Sequence, residues 1–295
     1  MTKIKYKSDQ VKTAIIALLP SFVLLTTFAI IPIFLSLSSS TLEGNNYMGF
    51  KFVGFSNYLK VLTDSNFWKS FLVGFQYVLV IVPIQLVLAF FLASLIIKLK
   101  QPLQSIIKVC IYVPCILSGI VVGAIFMYLY EYDAGLINTL LKIFNVDKVA
   151  WLADPKTALV AVGIASIWAG LGYVTLVMLG GLLDIPKDYY EAASLDGANI
   201  WQKFWHVTLP GIKNVGAYLL ISCFVSTFQI FELPFIMTGG GPLDSTMGPI
   251  GYIYQHFSYD TTLGFTYASS VLIALFLAVA SSLVFKLVNS SRSQE

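Results

Sequence analysis

The sequence is poor in charge: Asp, Glu, Lys and Arg make up only 11% of its 295 residues, against about 25% in an ordinary soluble domain. Hydrophobic residues make up 57%, and the formal net charge is only +3. This composition predicts a membrane protein and argues against a soluble enzyme or a disordered scaffold. With so small a net charge and no basic stripe interleaved with aromatic residues, we expect no nucleic-acid partner.

Residues that build metal and redox sites are also scarce. Cys110, Cys115 and Cys223 all lie in apolar stretches, where cysteine behaves as a small hydrophobic residue. The two histidines, His206 and His256, have no cysteine or carboxylate partners at metal-binding spacing. We therefore predict no metal site and no catalytic residue.

Long apolar runs, in contrast, are abundant. Six charge-free windows of 18 to 30 residues are Thr13–Leu42, Ser70–Ile97, Val109–Tyr130, Thr157–Leu183, Asn214–Phe231 and Thr261–Phe285. A helix that crosses a bilayer needs about 20 apolar residues, so the shortest window must continue past Glu232 to about Met237. The first window is far longer than the apolar part of a signal peptide, about 7–15 residues. We predict six membrane-spanning helices and a retained first helix.

Lysine and arginine are divided unequally between alternate loops. One side receives 12 of the 18: Lys3, Lys5, Lys7, Lys12, Lys98, Lys100, Lys108, Lys187, Lys203, Lys213, Lys286 and Arg292. The other six are Lys51, Lys60, Lys69, Lys142, Lys148 and Lys156, on the side that also carries Glu43, Asp64, Glu131, Asp133, Asp147, Asp154, Asp244 and Asp260. Because lysine-rich loops stay in the cytoplasm, both termini are predicted to be cytoplasmic.

Prolines recur inside the predicted spans, at Pro32, Pro83, Pro114 and Pro234. Each removes a backbone donor, so a neighbouring helix or water must satisfy the freed carbonyl. Two interpretations remain open from the sequence: plain kinks in packed helices, or hinges in a protein that opens and closes.

The longest connection on the lysine-rich side runs from about Asp184 to Lys213. Pro186 suits the first turn of a helix, and Gly197 interrupts the helical pattern. We predict a helix, a turn and a second helix that is stopped by Pro210.

The second helix of this loop is rich in apolar residues. Ile200, Phe204 and Val207 are spaced as one helical face, and Trp201 and Trp205 extend the apolar surface beyond it. Exposed apolar surface outside the membrane indicates a partner or the lipid interface.

Residues of this loop match a known family. The E-A-A-x-x-D-G-A … L-P pattern of the EAA loop is reproduced by Glu191, Ala192, Ala193, Asp196, Gly197, Ala198, Leu209 and Pro210. The chain therefore resembles the membrane-spanning permease subunits of binding-protein-dependent ABC importers. The resemblance implies that the loop, with Phe204, forms coupling helices in a cleft of a cytoplasmic ATPase dimer, and that Glu191 is its polar anchor. The alternative is an amphipathic hairpin on the membrane surface.

Three further segments resemble the permeases for oligosaccharides and related solutes, of the maltose, raffinose and glycerol-phosphate type. They are Phe52–Tyr58, in which Phe55 replaces the usual leucine, Gly135–Asn138, and Thr238–Pro242 with Thr246. The resemblance implies an all-α membrane protein with the type I importer fold. It divides the chain into residues 1–65 (the cytoplasmic N-terminus, a peripheral first helix and an outer loop), a five-helix core over 66–288 that includes the coupling loop 184–213, and a cytoplasmic tail over 289–295.

The resemblance also implies partners. The sequence has no G-x-x-x-x-G-K-[ST] phosphate loop, so we expect this chain to bind no cofactor and a separate ATPase to hold ATP and Mg²⁺. We further expect two protein partners, an extracytoplasmic solute-binding protein and a second permease subunit that is a paralogue or another copy. The chain is expected to lie in the inner membrane of a bacterial or archaeal cell.

One ionisable residue falls within a predicted span: Glu232, near the outer end of the fifth. An intramembrane charge suggests a functional site by default. Three interpretations remain open: Glu232 reaches the outer interface, lines the sugar path together with Gln229, or relays protons. Candidates for the sugar path, which combine aromatic faces with hydrogen-bonding groups, are Phe228, Gln229, Phe231, Glu232 and Tyr173. Secondary candidates are Gln76, Tyr77, Gln85 and Trp168.

Taken together, these features predict the permease subunit of an ATP-driven importer that moves a sugar or oligosaccharide delivered by a binding protein. The alternative is an ion- or proton-coupled secondary transporter that uses Glu232 and needs no ATPase.

Overall fold

A computed structural model describes residues 8–45, 49–259 and 263–289 of the chain. Several residues that entered the predictions lie outside the described part, namely Lys3, Lys5, Lys7, Asp260, Thr261 and Arg292, as does the predicted tail beyond residue 289.

The described residues are mostly helical. The first elements are α1 (Ser8–Leu25), a π-turn (Thr26–Ile30), α2 (Ile31–Ser39), β1 (Leu42–Asn45), β2 (Gly49–Phe52), α3 (Ser56–Thr63), α4 (Ser65–Ile97), α5 (Gln101–Ile116), α6 (Gly119–Leu129) and α7 (Leu136–Ile143). They are followed by α8 (Pro155–Leu183), α9 (Lys187–Leu195), α10 (Ile200–Lys203), a second π-turn (Phe204–Thr208), α11 (Leu209–Gly211), α12 (Lys213–Phe228), α13 (Glu232–Thr238), α14 (Pro249–Tyr259) and α15 (Leu263–Asn289).

The chain divides into two compact units, one within residues 1–64 and 255–274, the other within 65–254 and 275–295. In the first unit β1 and β2 form an antiparallel hairpin, with Leu42 opposite Phe52. The buried Asn57 side chain donates to the carbonyls of Ser40 and Leu42, at 2.9 and 2.8 Å. Asn57 thereby fixes the hairpin to α3, which gives the asparagine of the Phe52–Tyr58 segment a structural role.

The second unit is built around α4 and α8, which pack along much of their length. Tyr77 and Ile81 of α4 belong to one buried cluster with Ala161 and Ala165 of α8. A second buried cluster joins Val82 and Ala89 of α4 to Val174 and Met178 of α8 and Leu219 of α12. Because lipid tails are as apolar as these side chains, close packing of small residues and not the hydrophobic effect holds such helices together.

Gly172 marks the closest approach of two helices in this unit. A Cβ atom at this position of α8 would lie 2.0 Å from the carbonyl oxygen of Ile111 in α5. Only glycine lets the two backbones meet at this distance.

The membrane-spanning helices agree with the six predicted spans, with one difference. Five helical stretches are long and apolar enough to cross a bilayer: Ile15–Ser39, Ser65–Ile97, Pro155–Leu183, Lys213–Thr238 and Leu263–Lys286. The predicted third span, Val109–Tyr130, is instead divided between α5 and α6, which are bent by 97° with respect to each other. The break has a local cause, since Leu117 is extended, Ser118 caps α6 by accepting from the Val121 N–H, and Pro114 supplies no donor of its own.

The predicted outer segment between α6 and α8 is organised by Asn138. Its amide donates to the carbonyls of Tyr132 and Val149, both at 3.0 Å, and its oxygen accepts from the Val149 N–H and the Trp151 indole, both at 3.1 Å. The asparagine of the Gly135–Asn138 segment is therefore buried and fully hydrogen-bonded. Nearby, an exposed hydrogen bond to Asp133 raises the pKa of Lys148.

Candidate coupling loop and translocation path

The loop between α8 and α12 folds as a helix, a turn and a second helical segment. The first helix, α9, ends at Leu195, and Gly197 follows with a φ of +75°. No atom of the described residues lies near the position of a Cβ on Gly197, so the left-handed backbone, rather than lack of space, is what calls for glycine here. The Ala198 N–H closes the turn by donating to the Ala193 carbonyl at 2.9 Å.

A capping box starts the second segment. The Asn199 side chain accepts from the Gln202 N–H at 2.9 Å, and the Gln202 side chain accepts from the Asn199 N–H at 2.7 Å. These reciprocal bonds satisfy backbone donors that a helix start leaves free.

The second helical segment ends at Gly211, one residue beyond the predicted stop at Pro210. The chain widens into the π-turn Phe204–Thr208 and continues as α11, with Pro210 inside it and α12 following after Ile212. A π-turn shifts the backbone hydrogen-bond register by one residue, so the helical segment includes Pro210 despite its missing donor and ends just after it, where Ile212 leaves the helical conformation.

Side-chain contacts hold the loop against the ends of the spans. The ring of Phe204 meets that of Phe90 in α4 with centroids 5.5 Å apart, and the Tyr190 and Thr208 hydroxyls are 2.9 Å apart. Lys203 donates to the Ser194 hydroxyl at 2.7 Å. The loop is thus attached to α4 through Phe204, and its two halves are joined to each other.

The opposite side of the loop exposes large apolar residues. Leu195 is 90% exposed, Ile200 86% and Trp201 71%, and Tyr189 and Trp205 are exposed beside them. We call these five residues the apolar patch. Among the EAA residues, Glu191, Ala192, Asp196, Gly197, Leu209 and Pro210 are exposed, and Ala193 and Ala198 are half-buried.

The spacing of Ile200, Phe204 and Val207 predicted one apolar face, and for Ile200 this is wrong. Phe204 and Val207 are half-buried, whereas Ile200 points outward. Ile200 is the first residue of α10 and follows the exposed turn at Gly197, whereas Phe204 and Val207 lie in the π-turn that packs against the spans.

The predicted sugar path centres on a break in the fifth span. The helix stops at Phe228 and resumes at Glu232. Gln229, Phe231 and Glu232 line one cavity of about 430 Å³, with Pro114 and Gly119 from the bent third span on its wall. Two interrupted spans therefore meet at this cavity, as expected where irregular backbone lines a water-filled space in a membrane protein.

Glu232 packs directly against Gly119 at the start of α6. A Cβ on Gly119 would lie 2.5 Å from the Glu232 carboxyl carbon. The Glu232 side chain is exposed to the cavity.

Phe228 and Tyr173 do not line this cavity. Phe228 is completely buried, and its ring contacts Phe71, Phe75 and Phe276 at centroid distances of 5.0, 5.4 and 5.1 Å. Its aromatic neighbours, and not a solute path, surround it. Tyr173 of α8 instead meets Tyr218 of α12, with the two hydroxyl oxygens 2.8 Å apart.

A polar stripe runs along α12 from the tyrosine pair to the break. Tyr218, Ser222, Ser226 and Gln229 follow one another at spacings of four, four and three, which places them on one helical face. Tyr218, Ser226 and Gln229 are exposed, and Ser222 is half-exposed. Sequence reasoning missed the first three, although polar residues at this spacing in an apolar span are a signal that could have found them.

The remaining candidates lie apart from this stripe. Tyr77 is buried and donates to the Thr246 carbonyl at 3.2 Å, Gln85 is buried against Gly170, and Trp168 contacts Phe126. Gln76 lines a different cavity. Among the described residues no group of three or more His, Cys, Asp and Glu side chains is arranged to hold a metal ion.

Residues 65–293 match the family of inner membrane components of binding-protein-dependent transport systems. The chain belongs to this family. The predicted identity, a permease subunit of an ABC importer, is confirmed, as is its place in a membrane that the chain crosses several times.

Relatives of this permease are named for sugar transport. It is 32% identical over 246 residues to the trehalose/maltose transport system permease protein MalF of Thermococcus litoralis, covering 83% of this chain and 82% of the relative. It is 32% identical to the lactose transport system permease protein LacF of Rhizobium radiobacter, with 90% of each chain covered. The arabinooligosaccharides transport system permease protein AraP of Bacillus subtilis is 29% identical, with 93% and 87% covered.

The fold of the permease is shared with a solved structure. A chain of a bacterial ABC transporter involved in the import of the acidic polysaccharide alginate superimposes with a TM-score of 0.82, covering 96% of both chains at 18% identity. The predicted all-α, type I importer permease fold is thereby confirmed. These relatives give no support to the alternative of a secondary transporter.

Proposed function

We propose that this permease conducts a sugar or oligosaccharide and is driven by ATP hydrolysis on a separate ATPase dimer, which holds ATP and Mg²⁺. The apolar patch on the coupling loop carries the proposal. Large apolar surface outside the bilayer is costly unless a partner covers it, and the patch lies beside the exposed Glu191 of the EAA sequence. Sugar as cargo is supported by relatives named for trehalose/maltose, lactose and arabinooligosaccharides.

The loop is built to transmit movement. Glu191 offers a carboxylate to a basic cleft in the ATPase, and the rigid turn at Gly197 holds α9 and α10 in one orientation. Contact between Phe204 and Phe90 connects the docked loop to α4. When ATP closes the ATPase dimer, the loop moves as one body with the inner end of that span, and the cavity between two permeases changes the side to which it opens.

The sugar follows the polar stripe on α12. Hydroxyls of Tyr218, Ser222 and Ser226 and the Gln229 amide replace water around the solute, and the Glu232 carboxylate accepts hydrogen bonds from sugar hydroxyls at the break. Phe231 supplies an aromatic face to the same cavity. A polar stripe inside an apolar span has a use only where it faces a cavity or a partner.

The remaining assignments belong to the same proposal. Residues 66–288 form the core that pairs with a second permease, a paralogue or another copy, and residues 1–65 hold the peripheral first helix. A solute-binding protein delivers the sugar from outside, and both termini lie in the cytoplasm. The lysine distribution supports this orientation, since it places the coupling loop on the cytoplasmic side.

Purification of the tagged chain from its native membrane in mild detergent tests the proposal. We expect an ATPase with a phosphate loop and a second permease to copurify, and Glu191→Ala to lower substrate-stimulated ATP hydrolysis by at least about tenfold, since losing one partner of a buried charged pair costs about 2–5 kcal/mol. Lys142→Ala, in the outer helix α7, is the matched control.

Two results would contradict the proposal. One is normal ATP hydrolysis by the Glu191→Ala complex. The other is sugar uptake by ATP-loaded vesicles that collapses with a protonophore, which would favour proton coupling through Glu232.

A further inference from the structure

A second cavity lies at the other end of α4, away from both sites described above. It has a volume of about 560 Å³ and is formed by α4, the start of α8 and residues 243–245. It shares no lining residue with the cavity at the break of the fifth span. Among the polar residues that line it are Lys69, Gln76, Lys156 and Ser245.

The end of the cavity nearest the start of both helices carries positive charge that is only partly balanced. Lys69 donates to the Leu243 carbonyl at 2.7 Å and pairs with Asp244 at 3.3 Å. Lys156 is exposed and forms no ion pair within the described residues. The Ser245 hydroxyl oxygen is buried and has no hydrogen-bond partner in the described part of the chain. A lysine and an orphaned hydroxyl therefore face the same space.

The other end of the cavity is apolar and open. Leu79 and Val160 line it and are 71% and 40% exposed. Gln76 lies between the two ends of the cavity, seven residues after Lys69, which is a rise of about 10 Å along the helix. An amide on the exposed face of a spanning helix needs a polar partner at that depth, because hydrocarbon offers none.

We propose that this cavity binds an anionic phospholipid of the outer leaflet. Along the cavity, the lysines come first, the Gln76 amide follows and the apolar wall comes last. A phospholipid in one leaflet presents its groups in the matching order, from the phosphate through the ester to the acyl chain. Lys156, Lys69 and Ser245 hold the phosphate, the Gln76 amide donates to an ester carbonyl, and the acyl chain lies along Leu79 and Val160. A sugar fits less well, since no aromatic residue lines the cavity. The leaflet assignment rests on the orientation proposed above.

Lipid retention by the purified chain tests this proposal. Native mass spectrometry is used to titrate the chain with phosphatidylglycerol and, separately, with phosphatidylcholine. We expect tighter binding of phosphatidylglycerol, and we expect Lys156→Gln to weaken it about fivefold, the effect of one lysine near an anionic surface. Lys142→Gln removes another predicted outer lysine away from the cavity and should change nothing. Equal binding of both lipids, or equal loss in the control variant, overturns the proposal.

Photo-crosslinking in native membranes tests the occupant directly. With p-benzoylphenylalanine in place of Leu79, we expect adducts with phospholipid, which become fewer when Lys156→Gln and Lys69→Gln are added. An adduct with a second permease chain in place of lipid would show that a protein covers the groove and would overturn the proposal. Neither experiment measures transport, so failure here is distinct from failure of the proposed function.

Discussion

The coupling loop and the break in the fifth span are both interrupted helices, but they expose opposite chemistry. Outside the bilayer, the turn at Gly197 is closed by backbone bonds and the Asn199 capping box, and the exposed surface is apolar. Inside the bilayer, the break at Gln229 exposes an amide and a carboxylate to a cavity. In each case the exposed groups are those that the surroundings solvate poorly. This is why we propose a protein partner for the loop and a polar solute for the break.

The largest expected effect concerns the apolar patch. We expect Trp201→Ala to weaken binding of the ATPase about 30-fold or more, because a central aromatic contact at an interface is worth about 2 kcal/mol or more. Affinity is measured by titrating the purified ATPase onto the permease in nanodiscs. Leu283 is an exposed residue of α15, and Leu283→Ala should leave the affinity unchanged. An equal loss of affinity in both variants would contradict a specific role of the apolar patch in binding the ATPase.

The next effect concerns the turn at Gly197. We expect Gly197→Val to reduce substrate-stimulated ATP hydrolysis about tenfold, since a β-branched residue at positive φ costs about 1–3 kcal/mol. Gly197→Asn should retain most of the activity, because asparagine tolerates this backbone conformation. If both variants were equally impaired, loss of backbone geometry would not be the cause.

A smaller effect is expected at the break. Gly119→Ala places a methyl group against the Glu232 carboxylate, and overpacking of this kind costs about 1–3 kcal/mol. We expect sugar uptake by proteoliposomes to fall about fivefold. Gly180→Ala is the matched control, because no atom in the described part of the chain lies near its added methyl group. A fall of the same size in that variant would contradict the assignment of the cavity.

The smallest effect is expected along the polar stripe. Tyr218→Phe removes the hydroxyl that meets Tyr173 and leaves the ring in place. We expect the KM for uptake to rise about twofold to fivefold with little change in maximal rate, since a neutral hydrogen bond is worth about 1 kcal/mol. An unchanged KM would contradict the placement of the tyrosine pair on the sugar path.

Much of this architecture could be predicted from residues close together in the sequence. Apolar windows located the spans, and the spacing of Glu191, Gly197 and Pro210 located the loop and its turn. Other features depend on contacts between distant residues. Phe228 is buried because two other spans, α4 and α15, bring Phe71, Phe75 and Phe276 to it, and nothing within the fifth span distinguishes it from the cavity-lining Phe231.

Hydropathy and motif spacing are local properties of the chain, so they were enough to predict that it enters a membrane, where most of its spans lie and to which family it belongs. Contacts between distant residues were needed to show that the third span bends by 97°, that Gly119 meets Glu232, and that Tyr173 joins Tyr218. These features arise where interrupted or neighbouring helices meet. Hydrocarbon offers no hydrogen-bond partners, so polar groups in such places must find them within the protein or in a water-filled cavity.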